Sequence, residues 1–323
     1  MLYGYLKYEI QPQISDVRNP SYRVYKMGGS NDVYLYEEKK SGTKVIGKFF
    51  ESQLERNPSV AYRRLCREHH HLNMVRNIGF AGDYHYVPRT LGYNPGLHHL
   101  LVTEYCYGEL LDRVIRRAID DRDEGLLFYK LTSLAYFLSE LHNRTADQNW
   151  KVDFRENTDY MNTIISSLQY GGILRSADEL YYLRDLWYAQ PKMWADASVL
   201  VHGDATPANF MFGDSLHVVA LDLERMHRTD RLFDTGRIVG ELAHFFLMKT
   251  GSRERAEPFV GHFLWEYSCH FPDREQAFYS MNRRIPFYMG LNLLRIARNA
   301  WLDYPYRKRL VHEAKKCLRE VFL

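Results

Sequence analysis

Cysteine is scarce in this chain. The 323 residues hold four, Cys66, Cys106, Cys269 and Cys317, scattered and with no C-x-x-C pair. That excludes a disulfide framework and fits a reducing compartment. Long hydrophobic runs are missing too: no window approaches 18 consecutive apolar residues, so no transmembrane helix is predicted. The opening "MLYGYLKYEIQPQ" has no basic region followed by an apolar stretch, so no signal peptide is expected, and the protein is expected in the cytoplasm. Neither sign of charge dominates. Lys and Arg number 43 against 40 Asp and Glu, a net charge of +3, and no basic cluster stands out, so neither nucleic acid nor membrane is an expected partner. Internal repeats and low-complexity segments are absent as well. Nothing in the pattern specifies an oligomeric state.

What the chain does have is apolar mass. Hydrophobic residues make up 46%, enough to bury a sizeable core in one large domain or two ordinary ones. Its 25 tyrosines suit either a core or a pocket lining. The first hundred residues read as strands. "YRVYKM" (22–27), "DVYLYEE" (32–38) and "TKVIGKFF" (43–50) are short β-branched and aromatic runs separated by "GGSN" and "KKSG". Residues 58–79 have Pro near the start, Gly at the end, and Val60, Leu65, Leu72 and Val75 at roughly helical spacing, which predicts a helix. Two further strands follow, "VPRTLGYN" and "HLLVTEY" (99–105). Beyond Tyr105 amphipathic helical patterns prevail, at 108–119, 126–144 and 151–196. They are interrupted by a strand-and-loop stretch at 199–224 and resume after Asp234. The expected architecture is α+β: a small β-rich N-terminal part, residues 1–105, and a larger, mainly helical part, residues 106–323.

Several polar residues sit where apolar neighbours make them conspicuous. Gly28 and Gly29, followed by Ser30, lie between two strands. Such a pair makes a hairpin turn, and it also lets backbone amides approach phosphate oxygens. Lys48 interrupts "VIGKFF"; it either faces solvent from an amphipathic strand or supplies a point charge for phosphate. Glu68, on the next helix, is placed to pair with it or to sit in water. In "VLVHGDATPANFMF" (199–212) an apolar run breaks at His202, Gly203 and Asp204, and Asn209 follows. "HVVALDLERM" (217–226) ends a strand on Asp222. Carboxylate and amide oxygens are the hard donors Mg²⁺ prefers, with substrate phosphates completing its shell. An additional acid can take a proton from an attacking hydroxyl.

H-G-D-x-x-x-x-N followed by an apolar strand ending in D-x-E resembles the aminoglycoside phosphotransferase and choline kinase-like family, which shares the protein kinase-like fold. The likeness runs over roughly residues 22 to 300. It implies a bilobal fold and a kinase for small molecules, using ATP or GTP with Mg²⁺ and a small-molecule acceptor. By that resemblance Gly28, Gly29 and Ser30 cover the nucleotide phosphates. Lys48, held by Glu68, contacts the α- and β-phosphates, and backbone groups near Glu104 and Cys106 hold the base. Asp204 is the catalytic base, Asn209 and Asp222 hold the metal, His202 packs beneath the loop and Asp234 braces it. The chain also departs from relatives. Its glycines are adjacent rather than spaced, Ala205 and Thr206 stand where many relatives carry an apolar residue and His, Leu223 and Glu224 follow Asp222 in place of Phe-Gly, and no A-P-E-like segment follows. These departures argue against a protein kinase. A nucleotide-binding regulator on the same fold, without turnover, is the alternative, disfavoured because the chemical residues are all present.

Two other stretches invite a role. "CREHHH" (66–71) offers Cys66 and His70 at four-residue spacing but no second pair of ligands for zinc. In "RRIPFYMGLNLLRIARNAWLDYP", Tyr288, Asn292, Arg295 and Asn299 recur at three- and four-residue steps on one helix face. That face is either the polar side of a core helix or, as the resemblance implies, part of the acceptor pocket.

Overall fold

The computed structural model describes residues 1–28, 32–52 and 55–322. In chain order the elements are α1 (Leu2–Tyr5), β1 (Tyr22–Lys26), β2 (Asp32–Glu38), β3 (Lys44–Phe49), α2 (Pro58–Asn77), β4 (His85–Tyr86), β5 (Thr90–Asn94), β6 (Leu100–Glu104), β7 (Glu109–Leu110), α3 (Leu111–Asp120) and α4 (Glu124–Thr145). Then come β8 (Asp147–Lys151), α5 (Phe154–Tyr170), α6 (Asp178–Tyr188), β9 (Ala197–Val201), β10 (Phe210–Phe212), β11 (Val218–Ala220), β12 (His227–Thr229), α7 (Leu232–Thr250), α8 (Glu257–Ser268), α9 (Arg274–Asn282), α10 (Ile285–Ala297) and α11 (Tyr304–Arg319). The chain forms two compact units. One is Met1–Gly108 with Met211–Arg225; the other is Glu109–Phe210 with Met226–Leu323.

The first unit is built on a five-stranded sheet ordered β1-β2-β3-β6-β5. β3 runs antiparallel to both neighbours, so Lys48 sits opposite Val33 on one side and Leu101 on the other. Its lysine is buried because the ammonium packs against the carboxylates of Glu68 and Asp222 rather than water. Helix α2 starts where Asn57 caps it, accepting the N–H groups of Ser59 and Val60, with Pro58 at its first position. Its buried stripe is Ala61, Leu65, Glu68, Leu72 and Val75, so the stripe runs through Ala61 rather than Val60, and an acid occupies its middle. The segment before β1 carries no strand or loop signal in the sequence. It forms helical turns over residues 2–13 whose Leu6 and Ile10 join Tyr36, Leu91 and Val102 in a core cluster.

The second unit is helical around a small antiparallel sheet ordered β12-β9-β8. β9 carries Val199 and Val201, both fully buried, so it enters the core as an anchored strand and leaves it at His202. Helices α7 and α10 approach unusually closely. A Cβ on Gly236 would stand 2.2 Å from that of Tyr288, and one on Gly240 would stand 2.7 Å from the Asn292 amide nitrogen. Two glycines one helical turn apart thus let Tyr288 and Asn292 lie against the backbone of α7. No helix among the described residues is long and apolar enough to cross a membrane.

Candidate active site

In the first unit, the Lys48 ammonium lies 2.5 Å from Glu68 Oε2 and 2.6 Å from Asp222 Oδ1, with Glu224 Oε2 at 3.6 Å. Burial works against the lysine's charge, but the carboxylates of Glu68, Asp222 and Glu224 outweigh it and raise its pKa. Glu68 moves the other way from an ordinary carboxylate. Burial pushes it up to about 7, Lys48 opposes that, and the neighbouring acids add to it. The cause is a surplus of negative charge: three carboxylates share two cations, Lys48 and Arg64.

Helix α2 supplies the support. Arg64 forks onto Glu224, with Nη2 at 2.8 Å from Oε1 and Nε at 3.2 Å from Oε2. The His71 Nδ1 is hydrogen-bonded to the Leu223 carbonyl at 2.7 Å. Arg64, Glu68 and His71 therefore form one face of α2, at steps of four and three, and grip the turn that follows β11. Asp222 sits in that turn at a φ of +60°, a left-handed conformation uncommon outside glycine, asparagine and aspartate. Oxygens of Glu68, Asp222 and Glu224 lie within 4.8 Å of one another. An all-oxygen donor set carrying surplus negative charge suits a hard divalent cation such as Mg²⁺. The histidines of 66–71 do not join such a group; among the described residues this acidic trio alone gathers as a candidate metal cluster.

The segment 104–106 is fixed by its side chains. Glu104 Oε1 accepts the Tyr86 hydroxyl and the Arg89 N–H, each at 2.6 Å. Burial pushes the Cys106 thiol up to about 12, so it is inert as a nucleophile. Gly28 is exposed, with nothing within 4 Å of a Cβ placed on it, while Gly29 and Ser30 lie outside the described residues.

In the second unit, the loop after β9 is held from beneath by Asp234, near the start of α7. Its carboxylate accepts the N–H of His202 at 2.6 Å and of Gly203 at 3.0 Å, and meets His142 Nε2 at 3.1 Å. Burial alone would raise the Asp234 pKa; His142 and the backbone donors hold it below its ordinary value. Burial lowers the His142 pKa, and its Nδ1 is hydrogen-bonded to the Tyr267 hydroxyl at 2.8 Å. His202 is fully buried, its ring 5.2 Å from Phe210. Gly203 turns at a φ of +78° and exposes Asp204 to its loop. The Asn209 amide donates to the Asp204 carbonyl at 2.8 Å, closing the loop across its own base.

Sequence reasoning passed over Arg237, three residues beyond Asp234 and so on its side of α7. Its Nη1 donates to Gly203 O at 2.9 Å and to Asp204 Oδ1 at 2.7 Å. Arg237 also lines a recess with Tyr160, Phe233, Leu291, Asn292 and Arg295. Tyr288 borders this recess too, but its hydroxyl is spent on Asp230 at 3.0 Å. Tyr288 and Asn292 are buried, so this face of α10 is not a solvated one, while Asn299 lies beyond the helix end.

The sequence matches the phosphotransferase enzyme family over residues 21–271. No curated protein is matched by sequence. Among solved structures, the chain is similar to an aminoglycoside phosphotransferase with ADP bound, at 15% identity and a TM-score of 0.58, covering 100% of this chain and 98% of that one. An ethanolamine kinase of Plasmodium vivax gives 14% identity and 0.61, covering 100% and 88%. A choline kinase of Cryptosporidium parvum Iowa II gives 10% and 0.62, covering 99% and 93%. At these identities the structures establish the fold, a protein kinase-like one. A family match spanning most of the sequence establishes more: this chain belongs to the phosphotransferase enzyme family.

Proposed function

We propose that the protein transfers the γ-phosphate of ATP to a hydroxyl group of a small molecule, of the sugar, amino-alcohol or aminoglycoside type. The observation that carries this reading is the Lys48 ammonium held between Glu68 and Asp222, a buried cation locked in one place. Phosphoryl transfer asks a protein chiefly for positioning and charge stabilisation. Lys48 supplies a fixed positive charge for the α- and β-phosphates, and Glu68 fixes where it points. Gly28, Gly29 and Ser30 cover the phosphates, and backbone groups near Glu104 and Cys106 take the base, which admits GTP as well as ATP.

Asp204 accepts the proton of the acceptor hydroxyl as its oxygen bonds to the γ-phosphorus. The bond from that phosphorus to the bridging oxygen breaks, and ADP leaves with the electron pair. Asp234 and Arg237 hold the Asp204 loop in one conformation. Asp222 and Asn209 are the residues that would hold Mg²⁺, which would neutralise charge on the phosphate oxygens.

The test is ADP release with Mg²⁺ across aminoglycosides, choline and ethanolamine, sugars, amino acids and nucleosides. Acceptor-stimulated release, lowered about 10²- to 10⁴-fold by Asp204→Ala, is the expected result. Tight nucleotide binding with no acceptor ever phosphorylated would sink the reading and leave a nucleotide-binding regulator.

A further inference from the structure

We infer that the acceptor is a small alcohol bearing an anionic group, a carboxylate or a phosphate monoester, held by the guanidinium groups of Arg237 and Arg295. This rests on the phosphate-transfer reading above and adds the chemical class of the acceptor.

The recess between α5, α7 and α10 holds both arginines. The Arg237 side chain is only 5% exposed and that of Arg295 19%. Arginine carries five N–H donors and stays charged, so a buried guanidinium looks for acceptors on every edge. Both hydrogen bonds of Arg237 leave from Nη1. Those of Arg295 leave from Nε, to Asn292 Oδ1 at 2.8 Å, and from Nη2, to Glu241 Oε1. Among the described residues, Arg237 Nε and Nη2 and Arg295 Nη1 therefore make no hydrogen bond. Three charged donors around one recess match a planar carboxylate or a phosphate, each of which takes forked guanidinium bonds.

The local charge points the same way. Burial first, and the charge of Arg295 second, hold Arg237 below its ordinary value, although Asp204 and Asp234 lie near. No acid lines the recess among the described residues, and the carboxylates paired with its arginines are Asp204, on Arg237, and Glu241, on Arg295. An ammonium would have to take Glu241 from Arg295 and leave a guanidinium unpaired beside another, a costly exchange at low exposure. An anion has only to fill the open donors. Because Arg237 touches Asp204 as well, it would tie the anionic group of the acceptor to the residue that receives its hydroxyl proton.

The experiment uses the full chain in two measurements. Calorimetric titration with D-glycerate and D-gluconate forms the carboxylate arm. Glycerol 3-phosphate forms the phosphate arm. Glycerol and inositol are uncharged controls, and choline, ethanolamine and kanamycin are the cationic arm. ADP release is followed with the same compounds. Saturable binding in one anionic arm, with the uncharged controls far weaker, is the expected result, and the arm that binds names the group. Arg295→Gln should weaken that binding by about 10- to 100-fold while leaving nucleotide affinity in place, which a purely structural arginine would not do. If that variant fails to fold, Glu241→Gln/Arg295→Gln removes both charges together and carries the same expectation. Binding confined to cationic or uncharged compounds, or no binding in either anionic arm, overturns the inference. ADP release with a cationic acceptor would keep phosphate transfer and end the anionic assignment. An anion that binds while no compound is phosphorylated would end the transfer reading and the acceptor assignment with it.

Discussion

Asp234 accepts the backbone N–H of His202 at 2.6 Å, fully buried and 32 positions away along the chain. With the N–H of Gly203 and the ring of His142 it makes three charge-assisted contacts from one carboxylate. Asp234→Asn keeps the shape but loses the charge and presents a donor to at least one partner. A misplaced catalytic loop is expected to cost about 10² in kcat, with nucleotide affinity little changed. Single-turnover rates and nucleotide titrations separate the two; equal loss in both would place Asp234 elsewhere in the mechanism.

Lys48→Met removes the cation that three carboxylates share. The expected result is a fall of about 10²–10³ in kcat/KM for nucleotide, the scale of losing one preorganised charge contact. Lys48→Arg should rescue little, since a planar fork does not replace a point charge between Glu68 and Asp222. Steady-state kinetics at saturating Mg²⁺ checks both, and near-normal activity in the methionine variant would remove Lys48 from the phosphate site.

Gly240→Ala tests the close contact of α7 and α10. A new Cβ there would stand 2.8 Å from the Asn292 Cβ, inside any ordinary contact. Overpacking of this kind costs about 1–3 kcal/mol. Gly261, inside α8, is the control: nothing lies within 4 Å of a Cβ placed there. Gly261→Ala should gain up to about 1 kcal/mol. Urea denaturation midpoints measure both, and opposite signs are expected.

Glu38 gives the acid limb of the stability curve. Burial would lift its carboxyl, but the N–H groups of Ser21, Lys40 and Ser41 and the Ser41 hydroxyl hold it down at about 2, against an ordinary value of 4.5. A folded value below the unfolded one means that the stabilisation is fully present above pH 4.5. It is lost as pH falls through 2. Glu38→Ala should cost about 1–3 kcal/mol at pH 7, and its deficit should shrink as pH drops from 4.5 toward 2. Thermal melts of both proteins across that window are the check; a constant deficit would contradict the assignment.

Local pattern carried much of the fold. The β-branched and aromatic runs of β1, β2 and β3, set off by turn residues, and the proline-started, glycine-ended α2 are encoded within a few residues each, so they can be read in order. The same holds for Asp204 and Asn209, five apart in a loop that closes on itself through their own hydrogen bond. The turns over residues 2–13 escaped because their apolar contacts reach the distant strands β2, β5 and β6 rather than repeating along a helix face.

The amino-acid sequence by itself determined the element types and the order in which the polar residues occur, because helix, strand and turn propensities are short-range. Only the tertiary structure decided which residues pair. Arg64 meets Glu224 across 160 positions and Lys48 meets Asp222 across 174. Arg237 turned from an unremarked helix residue into the partner of Asp204. Tyr288 and Asn292 turned from a polar stripe into buried groups because Gly236 and Gly240 let two helices close. Buried charges must find partners wherever the chain brings them, and no periodicity records a partner that folding supplies.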